Sequence, residues 1–96
     1  MGEVRVIARA VAREGSAEEL KTLLRGLVTP TRAEAGCVYY ELFESNLPGV
    51  FCFNELWESQ AHLDAHAASS HFKDIFGKAK PLFKEPLEVN LLTAVE

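Results

Sequence analysis

Near the middle of the chain, Cys37 to Glu44 and Val50 to Glu58 are two runs rich in aromatic and β-branched side chains, separated only by Ser45-Asn46-Leu47-Pro48-Gly49. Pro and Gly supply the dihedrals a tight reversal needs, so the two runs form an antiparallel hairpin. Within the second run, Phe51, Phe53, Glu55 and Trp57 share one face, and Cys52, Asn54 and Leu56 share the other. The rest of the chain has to be arranged around this hairpin.

On the N-terminal side, residues 3–13 alternate charged and apolar side chains through Glu3, Arg5, Arg9 and Arg13, which predicts a strand. Ser16 and Glu19 have the spacing of a capping box. The helix they open carries Leu20, Leu23, Leu24, Leu27, Val28 and Thr31 as one apolar stripe. Pro30 removes a backbone donor and predicts a kink or break near Gly26 to Val28, and Gly36 is the expected left-handed terminator. On the C-terminal side, Ser59 ends the strand and a short helical run carries His62, Leu63, His66 and Ala67. Ser69 and Ser70 restart a helix with Phe72, Ile75, Phe76, Ala79 and Phe83 on its apolar face. Pro81 and Pro86 bracket a return loop, and Leu87 to Val95 reads as a closing strand.

The order is β-α-β-β-α-β with the second helix split. It predicts an α+β, ferredoxin-like antiparallel sheet with helices on one face and the other face bare, in one domain spanning residues 1–96. A bare face carrying Val, Leu and Phe would leave a large apolar patch on a monomer, so a homodimer packed through that face is expected. The net charge of −4 offers no basic footprint for nucleic acid. No apolar run approaches the ~20 residues of a membrane span, and the charged, strand-like N-terminus is not a signal peptide, so a cytoplasmic protein is expected. Cys37 and Cys52 have no metal-ligand spacing and read as reduced core thiols.

The ordered set Glu55-x-Trp57-x-Ser59-x-x-x-Leu63-x-x-His66, followed by Ser69-x-His71-Phe72, resembles the signature of the antibiotic biosynthesis monooxygenase (ABM) family. Glu34-Ala-Gly36-Cys37-x-x-Tyr40 and the opening VRVIARAVAREGSAEEL resemble it as well, so the likeness covers essentially the whole chain. The resemblance implies a dimeric α+β barrel with one pocket per protomer between sheet and helices. It also implies oxygen insertion into small phenolic, quinol or polyketide-like substrates, with dioxygen as co-substrate and without metal, flavin or haem. Other relatives of this kind isomerise small molecules or degrade haem. The haem-degrading pattern wants a histidine on the last long helix and an asparagine on the first strand; here that helix has no histidine after His71, and the first strand has no asparagine.

Such chemistry needs a general base, donors that stabilise the resulting anion, and a dry pocket. His66 and His71 are the base candidates; the same positions would also serve to cap the two helices and tie their junction. His62 lies at capping distance from Ser59 and is expected to face solvent. Asn54 is a candidate donor if helices cover its face of the strand. Trp57 is a candidate substrate contact or a packing residue. Tyr39 and Tyr40 face opposite ways, so one lines the pocket and the other the dimer face. Phe72 and Phe76 are core residues that could also line the pocket. Glu55 reads as structural, paired with an arginine such as Arg5 or Arg9. A small-molecule isomerase or lyase, and a non-catalytic dimeric binding module, are the alternatives to an oxygenase.

Overall fold

A computed structural model describes residues 2–96. The first strand, β1 (Val4–Val11), turns Val6, Ala8 and Ala10 into the core, continued by Ala12, and leaves Arg5, Ile7 and Arg9 on the opposite face. Three alanines in that row let the helices approach the sheet closely. Helix α1 (Ala17–Arg25) buries Leu20 and Leu24, and α2 (Val28–Arg32) follows after a break at Gly26 and Leu27. The break falls where Pro30, lacking an N–H, cannot bond back to the preceding turn.

The expected capping box does not form. Ser16 has ψ near 4°, and its side chain makes no cap bond. Its backbone is not extended as a capping residue's is, which turns the hydroxyl away from the first-turn amides. The later serines do cap: Ser59 accepts from the amide of His62 and Ser69 from that of Phe72, opening α3 (Gln60–Ala67) and α4 (Ser70–Ala79). A short 3-10 turn, Lys80–Leu82, then leads toward the last strand.

The hairpin joins β2 (Cys37–Glu44) to β3 (Val50–Trp57), with Gly49 at φ +76° in the turn. The closing strand β4 (Glu88–Leu92) is shorter than the expected 87–95 run, and every residue in it is exposed. The antiparallel sheet has the order β2-β3-β1-β4, the ferredoxin-like arrangement. Phe51, Phe53, Glu55 and Trp57 face the helices and are buried, so Cys52, Asn54 and Leu56 lie on the open face. Both cysteines are free and half-buried, so Cys52 is not the core thiol expected of it. No helix of the described residues is long and apolar enough to cross a membrane.

Candidate active site

Between the sheet and the helices lies a cavity of about 400 Å³. Val6, Ala8 and Phe53 form its floor, Leu24 and Leu27 one wall, and Leu63, Phe72, Phe76 and Phe83 the other. Four side chains on this lining can exchange a proton: Tyr40, Glu55, Asp64 and His66. Val89 and Leu91 of β4, about half exposed at 53% and 52%, line its outer edge.

His66 sits near the end of α3 and is only 4% exposed. Its ring packs 4.8 Å from Trp57, 5.0 Å from Phe72 and 5.6 Å from Tyr40, centre to centre. Its Nδ1 lies 2.8 Å from Glu34 Oε2, and His71 Nε2 lies 2.7 Å from the same oxygen. A carboxylate has no proton to give, so each of these nitrogens carries its own and donates. Nε2 is then the nitrogen of a neutral His66 left free as an acceptor, the logic by which a carboxylate fixes the tautomer of a catalytic base. Glu34 belongs to the turn between α2 and β2, while the two histidines flank the α3–α4 junction. Ser69 completes the junction by donating to the His66 carbonyl at 2.7 Å.

Among the described residues, Glu34, His66 and His71 are also the group that could hold a metal ion, their ligand atoms lying within 4.8 Å of one another. Both contacts to Oε2 have the length of charge-assisted hydrogen bonds, and a cation could enter only by displacing both ring protons.

Glu55 corrects the expectation from sequence. It pairs with neither arginine: Arg9 meets Glu85, and Arg5 meets the Tyr39 hydroxyl, both across exposed surface. Glu55 is instead 5% exposed, and Oε1 accepts the Trp57 indole N–H at 2.9 Å. Burial pushes its carboxyl up to about 7, with the Glu34 charge adding to the rise and the Trp57 bond opposing it. The Tyr40 phenol is raised far above its usual value by burial and by the Glu55 charge, so it stays a neutral donor. Burial also raises the Cys37 thiol, aided by the charges of Glu34 and Glu55, which keeps it a thiol rather than a nucleophilic thiolate.

The other sequence candidates divide. Tyr40, Phe72 and Phe76 line the cavity with His66. His71 does not line the cavity; it meets Glu34, which in turn bonds to His66 on the cavity wall. Trp57 is fully buried behind the lining and reaches the site through Glu55. Asn54 and Tyr39 are on the wrong side: both lie on the open face, where Asn54 Nδ2 contacts Glu41 at 3.4 Å. His62 is not solvent-facing either; Ser59 holds its Nδ1 at 2.8 Å, and its ring lies against Gly36. A signal for Glu55 was present, since it is the one charged side chain on the Phe51–Trp57 face. Glu34 stood in the stretch that resembles the family, but nothing local pointed to its histidine partners, which are more than thirty residues away.

The sequence profile of the family described as "Antibiotic biosynthesis monooxygenase" matches residues 3–78. The chain belongs to the antibiotic biosynthesis monooxygenase family. Rv0793 of Mycobacterium tuberculosis is 36% identical over 93 residues, covering 97% of this chain and 92% of its own. YcnE of Bacillus subtilis is 34% identical over 73 residues, 75% of this chain and 77% of its own. Both are provisionally named monooxygenases. The solved structure of Rv0793 superposes with a TM-score of 0.93 at 35% identity, covering 99% of this chain and 97% of that one. PA3566 of Pseudomonas aeruginosa superposes at 0.92 and 31% identity, covering 100% and 97%. In this ABM-family chain Glu55 and the Glu34–His66–His71 cluster fall inside the matched segment, as does most of the cavity lining, while Phe83, Leu87, Val89 and Leu91 lie beyond it.

Proposed function

We propose that this ABM-family protein is a cofactor-independent monooxygenase that oxidises a small phenol or quinol inside the cavity. The observation that carries this reading is His66: a buried imidazole on an apolar wall, its Nδ1–H bound to Glu34 and its Nε2 left as a base. The relatives named as monooxygenases support the same class.

In this reading the substrate ring lies among Phe53, Phe72 and Phe76, and His66 takes a hydroxyl proton. The phenolate then places electron density on a ring carbon, which adds dioxygen, and the proton on His66 passes to the new peroxide. Elimination of water leaves a carbonyl. Phenol and dioxygen thus give quinone and one water, the ring losing four electrons and dioxygen gaining them. Apolar walls favour the step because they exclude water from the peroxide. Glu34 is a positioning residue, and His71 helps fix it. The working unit is a homodimer closed through the open sheet face, and the expected compartment is the cytoplasm.

The test is oxygen consumption by the purified protein against a panel of quinols and anthrones. Uptake above autoxidation should fall at least about 100-fold in His66→Gln, the scale of a lost general base. It should fall much less in His71→Gln, with folding checked by thermal denaturation. Glu34→Gln should lower kcat more than it raises KM. An oxygen trace at the autoxidation rate for every substrate would exclude the oxygenase and favour a proton-shuttling isomerase or a binding module.

A further inference from the structure

The proposed base leaves Glu55, a buried carboxyl on the cavity lining, without a role. Glu55 lies on β3 with Tyr40 directly across from it on β2 and Val6 across on β1. Tyr40 and Glu55 are therefore cross-strand neighbours on the cavity face, where opposed side chains stand about 5 Å apart. Trp57 holds Oε1 by its indole N–H. Oε2 has no hydrogen-bond partner among the described residues, and the side chain that carries it lines the cavity. A carboxyl with one oxygen anchored and the other free is arranged to pass a proton to a bound ligand.

We infer that Glu55 is a second catalytic residue, the acid whose Oε2 protonates the oxygen atom that leaves the substrate as water. This rests on the oxygenase reading above. In the elimination step, the C–H proton of the peroxide-bearing carbon goes to His66. The electron pair of that bond forms the new carbonyl, and the O–O bond breaks. The departing hydroxide takes the Glu55 proton and leaves as water. The proton on His66 then returns to the Glu55 carboxylate, and both groups are restored. Water is a far better leaving group than hydroxide, so an apolar pocket that removes bulk water must supply this proton itself.

The surroundings favour the acid form. Glu34, from the turn before β2, adds negative charge; Tyr40 and Cys37 on β2 stay neutral; Asp64 and His66 face the cavity from α3. β1 offers Val6, and α4 offers Phe72, neither titratable. With its carboxyl near 7, Glu55 is still substantially protonated at neutral pH.

An acid at this position should also hold a product-like carbonyl, which gives a test without turnover. The probe is 1-tetralone, an unreactive aryl ketone, titrated calorimetrically into the wild-type protein across roughly pH 5.5 to 9. Its affinity should be level at low pH and fall about tenfold per pH unit once Glu55 ionises, because only the acid form donates. Glu55→Gln keeps an oxygen for Trp57 and presents a permanent N–H₂ donor, so its tetralone affinity should be retained and flat with pH. A pH profile that survives unchanged in Glu55→Gln belongs to His66 and overturns the inference, as does loss of tetralone binding in that variant. The wild-type protein alone gives a second measurement, by carboxyl NMR with ¹³C-labelled glutamate. Saturating tetralone should move the Glu55 titration to higher pH, and a midpoint that does not move refutes the role. Neither measurement involves dioxygen. A normal tetralone profile beside a silent oxygen electrode refutes the oxygenase and the elimination step with it, leaving Glu55 only as a donor to a bound carbonyl, whereas oxygen uptake beside a profile unchanged by Glu55→Gln refutes the acid and spares the oxygenase.

Discussion

Folding lifts the Glu55 carboxyl from an ordinary 4.5 to about 7, so the native protein holds a proton there that the unfolded chain has already released. The stability associated with that proton is complete below about 4.5 and is lost as pH rises through about 7. On the order of 3 kcal/mol separates the two limits for a shift of this size. Urea denaturation at about pH 5 and about pH 8 should therefore show wild type losing more stability than Glu55→Gln over that interval. Parallel losses would mean that Glu55 ionises normally in the folded protein. The sequence holds part of this result. Strand alternation places Glu55 with Phe51, Phe53 and Trp57, and places Arg5 and Arg9 opposite Val6 and Ala8. Once helices are laid on the apolar row, an ion pair between Glu55 and those arginines is geometrically closed. The same alternation separates Tyr39 from Tyr40 and turns Asn54 away from the cavity. What it could not supply is which partner shields the carboxyl, because the Trp57 indole reaches it along the strand rather than across it.

At the scale of elements, the site depends on how α3 is seated. Gly36, at φ +80°, ends the passage into β2, and a Cβ built there would lie 2.2 Å from the His62 ring. Ser59 holds that ring from its other side, so it has little room to retreat. Gly36→Ala should cost about 1–3 kcal/mol through strain and overpacking together. Amide chemical shifts should move mainly over residues 60–67, with the Glu34–His66 contact loosened; an unchanged melting temperature would show that α3 adjusts freely. Breaks set by one residue's covalent chemistry were legible in the sequence: Pro30 split α1 from α2, and Gly36 took the left-handed turn. Ser16 defeated its motif because a capping box also needs an extended backbone at the first position, which the motif does not encode. The Glu34 latch was out of reach for a different reason, since it joins segments that only the sheet order brings together.

For the whole molecule, the open face of the sheet presents Ile7, Val11, Phe43, Leu56 and Leu92 among Arg5, Arg9 and Glu41. Phe43 is 52% exposed. If two copies close over this face, a charge in its apolar row should separate them. Phe43→Lys is expected to sediment as a monomer at concentrations where wild type is a dimer, and a wild type that sediments as a monomer would refute the packing. The fold order was readable because each hairpin, stripe and turn is local. The partner surface is legible only as an uncovered face.

The exposure of β4 has a consequence for motion. This strand sits at the sheet edge, yet Val89 and Leu91 are also the outer wall of the cavity. Edge segments with few buried contacts open at low free-energy cost, so the amides of residues 88–92 should exchange with solvent faster than those of β1 and β3. Occupancy of the cavity adds apolar contact to Val89 and Leu91 alone among strand residues so exposed. Deuterium uptake along β4 should therefore slow when a ligand binds while the central strands barely change. The least protected strand of the fold would then serve as a reporter of occupancy, readable before any substrate is known.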